Sequence, residues 1–91
     1  AITLGQNGVV YLDSERQIHQ NAYPVTAIDT TGAGDAFNGA LAVQIAKECN
    51  IADALHFAVA TASLSVTRKG AQQSMPTEAE VMQFLSEQGD K

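Results

Sequence analysis

The sequence predicts an α/β fold in which short strands, including a hairpin, precede three helices. Two features of the chain support this prediction. Residues 2–20 contain short β-branched runs separated by turn formers, whereas residues 33–85 repeat apolar side chains at helical spacing. A chain of 91 residues has room for one domain, and its hydrophobic content of 45% is ordinary for a globular protein.

The charge balance narrows the classes of function. Ten acidic residues against five basic ones give a net charge of −5, and no basic run occurs, which argues against a nucleic-acid partner. The chain has no apolar stretch of about 18 residues, so the sequence predicts no membrane span. A single cysteine, Cys49, and the absence of a visible signal peptide favour a cytoplasmic protein.

The first part of the chain is expected to form strands. Two β-rich runs, residues 2–4 and 9–12, flank a turn-forming string at residues 5–8, which predicts a hairpin. Residues 13–16 read as a polar turn, and residues 17–20 as an edge strand.

The first helix is expected over residues 33–48. Phe37, Leu41 and Ile45 recur every four residues, which predicts one inward-facing side. Asn50 is a good N-cap and is expected to start the second helix.

The second helix is expected to bury two adjoining stripes with a spacing of four residues, one of larger side chains and one of alanines: Ile51, Leu55 and Val59, and Ala54, Ala58 and Ala62. Residues 67–70, which are basic and then glycine, predict its end. His56 has no evident partner and is expected to be a solvated or edge residue. A capping box at residues 77–80 predicts a third helix, with its inner side formed by Val81, Met82, Phe84 and Leu85.

A glycine-rich loop at residues 29–34 leads directly into the first helix. The first N–H groups of a helix have no internal partner and lie at the positive end of its dipole, and glycines let an anion approach closely. The junction therefore predicts an anion site of the phosphate type. Asp35 in the first turn is either a favourable helix-start acid or a general base that takes a proton from an attacking hydroxyl.

Three strings in the chain resemble one protein family. Residues 29–41, DTTGAGDAFNGAL, closely resemble the second signature of the ribokinase-like (PfkB) carbohydrate kinases. Residues 3–8, TLGQNG, are similar to the nucleotide-contacting turn of that family, and residues 66–74, VTRKGAQQS, to the late loop of ribokinases. The resemblance covers residues 2–85. A Rossmann dinucleotide site is disfavoured, because GAGD lacks the third glycine of GxGxxG.

The resemblance implies both an activity and a larger fold. Residues 1–91 would be the C-terminal, nucleotide-binding portion of a single ribokinase-like domain with a three-layer α/β/α fold, and the N-terminal portion and the lid would lie outside this chain. The implied activity is ATP-dependent phosphorylation of a sugar hydroxyl, with D-ribose converted to ribose 5-phosphate. The isolated fragment is then expected to be inactive. Another kinase of this family, such as a fructokinase, and a non-catalytic nucleotide-binding module are the alternatives.

The resemblance also assigns roles to individual residues. It implies that Asp35 is the general base and contacts the substrate, and that the anion hole is formed by Gly32, Ala33 and Gly34. The implied nucleotide contacts are Gly34, Val59 and the hairpin residues Thr3, Leu4, Gly5, Gln6, Asn7 and Gly8. An ordinary hairpin turn is the alternative interpretation of the last six. The implied partners are small molecules, ATP and a sugar, and the parent enzyme is compatible with a homodimer.

Two metal ions accompany ATP in the implied enzyme. One is Mg²⁺, although the Asn-x-x-Glu motif that the family associates with it does not occur in this sequence. The other is a monovalent cation, K⁺, beside the anion site. By position its ligands would be backbone carbonyls and one hydroxyl, from Asp29, Thr31, Ser65, Arg68, Gly70 and Ser74.

Overall fold

The computed structural model describes residues 2–5, 8–23, 25, 32–67 and 76–87. Three strands, β1 (Ile2–Gly5), β2 (Gly8–Leu12) and β3 (Gln17–Asn21), precede three helices, α1 (Ala33–Ala46), α2 (Ile51–Ser65) and α3 (Glu78–Glu87). This order confirms the predicted α/β arrangement. Among the helices in these ranges, none combines the length and the apolar character needed to cross a bilayer.

The strands form an antiparallel sheet in the order β1–β2–β3. Gly5 pairs with Gly8, which confirms the hairpin. In the β2–β3 pair, Tyr11 lies opposite Ile18. Both side chains, together with Val9 two residues before Tyr11, pack into the main hydrophobic core. One face of the sheet therefore covers the helices, as the period-2 alternation of a strand requires.

Asp13 organises the turn between β2 and β3. Its carboxylate accepts the N–H groups of Glu15 and Arg16, both at 2.8 Å, and the Tyr11 hydroxyl at 3.0 Å. The Glu15 N–H, followed by that of Arg16, holds the pKa of Asp13 below its usual value, against a partial desolvation that raises it. Asp13 thereby confirms the predicted polar turn by a mechanism typical of aspartate.

Helix α2 is the neighbour shared by both other helices and by two strands of the sheet. It packs most extensively against α1 and also contacts β2, β3 and α3. In the main core, Leu55 and Val59 of α2 meet Phe37 and Leu41 of α1 and Val9 of β2. The alanine stripe predicted for α2 is buried, and its small side chains let the neighbouring elements approach closely.

The inward-facing side of α1 differs from the prediction in its last turns. Phe37 and Leu41 are buried, but Ile45 is 51% exposed and Gln44 is only 8% exposed. An α-helix turns by about 100° per residue, so each step of four residues drifts by about 40° and a step of seven returns to within about 20°. Gln44, seven residues after Phe37, therefore faces the core where Ile45 was expected. Met82, at 56% exposure, is likewise outside the buried side of α3.

Helix α1 ends at Ala46, two residues before its predicted end, in a Schellman arrangement. The Cys49 N–H donates to the Gln44 carbonyl at 3.1 Å, and the Glu48 N–H donates to the Ile45 carbonyl at 2.9 Å. Glu48 adopts a φ of 62°, in the left-handed region that usually holds glycine at this position. The Cys49 thiol also donates to Gln44 Oε1 at 3.3 Å, which satisfies the buried amide oxygen.

The starts of α2 and α3 confirm the predicted caps. Asn50 Oδ1 accepts the Asp53 N–H at 2.8 Å. Thr77 and Glu80 form the reciprocal capping box, with the Glu80 N–H on Thr77 Oγ1 at 3.2 Å and the Thr77 N–H on Glu80 Oε1 at 2.9 Å. At the other end, α2 closes at Ser65, and most of the predicted stop at 67–70 lies outside the described residues.

Candidate active site at the start of α1

The junction that opens α1 has the backbone geometry of a glycine-dependent helix start. Gly32 is the N-cap residue, with a φ of 85° in the left-handed region, and its carbonyl accepts the Ala36 N–H at 2.8 Å. A residue with a side chain would be strained there. No side chain of the described residues caps this helix start, so its first N–H groups suit a bound anion.

Gly34 and Asp35 lie on the outer side of the first turn. Both are exposed, whereas the next two residues, Ala36 and Phe37, are each 2% exposed. A Cβ placed on Gly34 would meet no atom within 4 Å among the described residues outside its chain neighbours and its own helix backbone. Packing against these residues therefore does not explain a glycine at this position, and they leave space beside it for a ligand. The anchored Phe37 fixes the helix from which the Asp35 carboxylate extends into solvent.

Gly8, one of the implied nucleotide contacts, has a structural requirement of its own. Its φ is 124°, and a Cβ on it would lie 2.1 Å from the Gln20 carbonyl oxygen and 2.8 Å from the Ala22 nitrogen. The close approach of β3 therefore demands glycine here with or without a ligand. Val9, the next residue, packs in the same core as Phe37, which ties the hairpin to the helix that carries Asp35.

Ala33, the third implied anion-hole residue, is the first residue of α1. The other implied site residues form two groups, those that the structure describes and those that it does not. Val59 is 2% exposed within the core, and Ser65 is 1% exposed with its hydroxyl donating to the Ala62 carbonyl at 2.8 Å. Thr3, Leu4 and Gly5 belong to β1 and pair with β2. The roles assigned to all five in binding stay predictions. The implied residues that lie outside the described part of the chain are Gln6, Asn7, Asp29, Thr31, Arg68, Gly70 and Ser74.

A contact between Tyr23 and His56 was not foreseen from the sequence. The Tyr23 hydroxyl lies 3.1 Å from His56 Nε2, and the two rings meet edge-on with centroids 5.9 Å apart. His56 is partly buried and has a partner. Of the two positions expected for it, solvated or at an edge, the structure fits the second. The two residues are 33 positions apart, and local spacing carries no signal of such a contact.

Comparison with known proteins identifies the family. The family model described as pfkB family carbohydrate kinase matches residues 1–78. The chain belongs to this family. The ribokinase of Bacillus subtilis (strain 168) is 48% identical over 85 residues, which cover 93% of this chain and 29% of the relative. Probable fructokinase-3 of Arabidopsis thaliana is 37% identical over an alignment of 94 positions, which covers 96% of this chain and 27% of the relative. The chain thus spans less than a third of the length of these relatives.

Solved structures agree with this assignment and confirm the ribokinase-like fold. Ribokinase from Thermotoga maritima superposes with a TM-score of 0.90 at 43% identity, covering 93% of this chain and 29% of its own. Arabidopsis thaliana ribokinase, complexed with ribose and ATP, gives 0.83 at 39% identity, covering 88% and 26%. A putative ribokinase II from E. coli, in complex with ATP and Mg²⁺, gives 0.86 at 33% identity, covering 90% and 27%.

Proposed function

We propose that the protein containing this chain transfers the γ-phosphoryl group of ATP to a sugar hydroxyl, with Asp35 as the general base. The observation behind the proposal is the junction at the start of α1. There Gly32 has a left-handed φ, the described residues leave space beside Gly34, and Asp35 is exposed. Membership of a carbohydrate kinase family supports interpreting this junction as a phosphoryl site.

The proposed chemistry is an in-line displacement at the γ-phosphorus. The sugar hydroxyl oxygen forms a bond to that phosphorus, the bond to the oxygen bridging the β- and γ-phosphates breaks, and ADP leaves. The hydroxyl proton passes to the Asp35 carboxylate. The N–H groups of Gly32, Ala33, Gly34 and Asp35 would stabilise the charge on the transferred group. Catalysis of this kind depends mainly on positioning and electrostatics.

The proposal includes two metal ions. Mg²⁺ binds nucleotides largely through their phosphates and neutralises their charge, so it needs few protein ligands. The relative solved with ATP and Mg²⁺ supports the same choice. K⁺ is proposed on the resemblance of residues 66–74 to the ribokinase loop.

D-Ribose is the proposed substrate, with ribose 5-phosphate as the product. The ribokinase relatives and the ribokinase-like string at residues 66–74 support this choice. Fructose is the second candidate, because a probable fructokinase is also among the relatives. The enzyme is proposed to work in the cytoplasm on these small molecules.

The test is turnover by a full-length protein that contains this chain and by its Asp35→Asn variant. Ribose, 2-deoxyribose, fructose and a nucleoside are assayed with ATP, with and without K⁺. Asp35→Asn is expected to lower kcat about 10²- to 10⁴-fold while nucleotide affinity is largely kept. The matched control is Asp53→Asn, which removes the first-turn acid of α2 and is expected to leave kcat unchanged.

Each outcome decides a different part of the proposal. Near-normal turnover by Asp35→Asn would show that this carboxylate is not the base. Turnover of fructose in place of ribose would keep the mechanism and change the substrate. Binding of ATP without turnover of any sugar would favour a non-catalytic nucleotide-binding module.

A further inference from the structure

Tyr23 lies where the chain leaves the sheet, two residues after the end of β3. Its backbone N–H donates to Ser63 Oγ at 3.4 Å, and its hydroxyl lies 3.1 Å from His56 Nε2. Its ring meets Phe84 edge-on, with centroids 5.3 Å apart and an interplanar angle of 80°. One residue therefore fastens the end of β3 to both α2 and α3.

The contacts of Tyr23 define its orientation as well as its place. His56 and Ser63 are seven residues apart on α2, so Tyr23 lies along about two turns of that helix. The same side chain packs against both hydrophobic clusters, the main core and a second cluster that contains Ala60 and Phe84. A residue held on several sides in this way has little freedom to shift.

Helix α1 is positioned against the same helix. Phe37 and Leu41, the first large side chains after Asp35, share the main core with Leu55 and Val59 of α2. Tyr23 precedes Asp35 by only twelve positions in the sequence. Tyr23 and helix α1, which carries Asp35, both pack against α2. A loosened attachment at Tyr23 would act on the start of α1 through this connection.

We propose that Tyr23 is a positioning residue for the phosphoryl transfer: it fastens the end of β3 to α2, the helix against which the start of α1 is packed. The inference rests on the function proposed above. It matters because a general base and a row of N–H donors work only in a narrow range of positions, and small misplacements lower the rate steeply. The hydroxyl–imidazole contact is a directional part of the attachment made by the side chain, whereas the ring contributes burial.

A matched pair of substitutions separates this role from a general loss of stability. Tyr23→Phe keeps the ring and removes the hydroxyl that meets His56. Tyr11→Phe removes a hydroxyl with a comparable contact, at 3.0 Å to Asp13, in the exposed β2–β3 turn. In the full-length enzyme, Tyr23→Phe is expected to lower kcat about 3- to 10-fold with the KM for ATP changed less than about 2-fold. Tyr11→Phe is expected to leave both unchanged.

A double-substitution cycle tests whether His56 mediates the effect. If it does, Tyr23→Phe causes no further loss of kcat in a His56→Ala background. Fully additive losses would overturn the proposed contact. An unchanged kcat in Tyr23→Phe, with only a lower melting temperature, would overturn the positioning role.

Hydrogen exchange provides a readout that does not require turnover. Amides at residues 36–40, the first in α1 with a helical hydrogen-bond partner, are expected to exchange faster in Tyr23→Phe than in wild type or Tyr11→Phe, while those at residues 54–60 keep their rates. Unchanged exchange at residues 36–40 would overturn the inference. If wild type phosphorylates no sugar, the proposed function fails by itself, and the exchange rates still decide whether Tyr23 holds the start of α1.

Discussion

Gly8→Ala tests whether the hairpin glycine is required by the fold. The added Cβ would lie 2.1 Å from the Gln20 carbonyl oxygen, 2.8 Å from the Ala22 nitrogen and 2.9 Å from the Asn21 Cα, where ordinary contacts are 3.4–4 Å. All three neighbours are backbone atoms, so no side-chain rotation relieves the overlap. The end of β3 must move, and the pairing of Gly8 with Asn21 is weakened.

The expected cost has two parts. A φ of 124° is strained for any residue with a side chain, at about 1–3 kcal/mol. Shifting β3 weakens one or two strand hydrogen bonds, at roughly 0.5–1.5 kcal/mol each. Together these predict that Gly8→Ala lowers the free energy of unfolding by about 1.5–6 kcal/mol. Urea denaturation followed by circular dichroism measures this directly, with the slope of the transition checked against wild type.

Gly34→Ala is the matched control, because the same methyl group enters open space among the described residues. It is expected to change the free energy of unfolding by less than about 1 kcal/mol, in the stabilising direction, since alanine favours helix more than glycine does. Its kcat/KM is expected to fall at least about 10-fold, because the methyl group blocks an anion at the helix start. The two substitutions should therefore have different effects: Gly8→Ala lowers stability, and Gly34→Ala lowers activity. A Gly8→Ala protein within about 1 kcal/mol of wild type would refute the argument from close approach.

Two further predictions concern helix ends, and both are measured by the same urea denaturation. Glu48→Gly should raise the free energy of unfolding by about 0.5–1 kcal/mol. The left-handed φ of 62° strains glutamate, and relief of this strain outweighs the greater conformational freedom of glycine in the unfolded chain. An equal gain in Glu48→Ala would contradict this explanation. Thr77→Ala should lower the free energy of unfolding by about 1 kcal/mol through loss of the capping box at α3, and no change would mean that the cap contributes nothing to folding.

Local signals in the sequence were sufficient for the order of the elements and for their starts. Asn50 and Thr77 each form a cap within three residues, so the information needed to place them is local. The end of α1 was misjudged because Glu48 occupies a left-handed position that the sequence would mark only with glycine or asparagine. Ile45 was misplaced because a spacing of four drifts away from the helical period, as the buried Gln44 shows.

The same limit applies to the candidate site: the sequence reveals short local strings but not contacts between distant elements. The string at residues 29–41 was specific enough to identify the family, because it is a run of consecutive residues, and the role that it assigns to Asp35 stays a prediction. Sequence alone did not separate the structural role of Gly8 from a binding role, because the decisive neighbour, Gln20, belongs to another strand. Tyr23 was missed for a similar reason, since its partners on α2 and α3 are set by packing and not by spacing.

The composition of α2 also limits how this protein can diverge. Ala54, Ala58 and Ala60 are fully buried, and each added methylene at such a site typically costs about 1–3 kcal/mol. Because α2 contacts the sheet and both other helices, one enlarged side chain would displace several elements at once. Enlarged side chains should therefore be tolerated better at exposed positions such as Asn38, beside the first turn of α1. The buried alanines of α2 thus set a size limit that reaches every element packed against this helix.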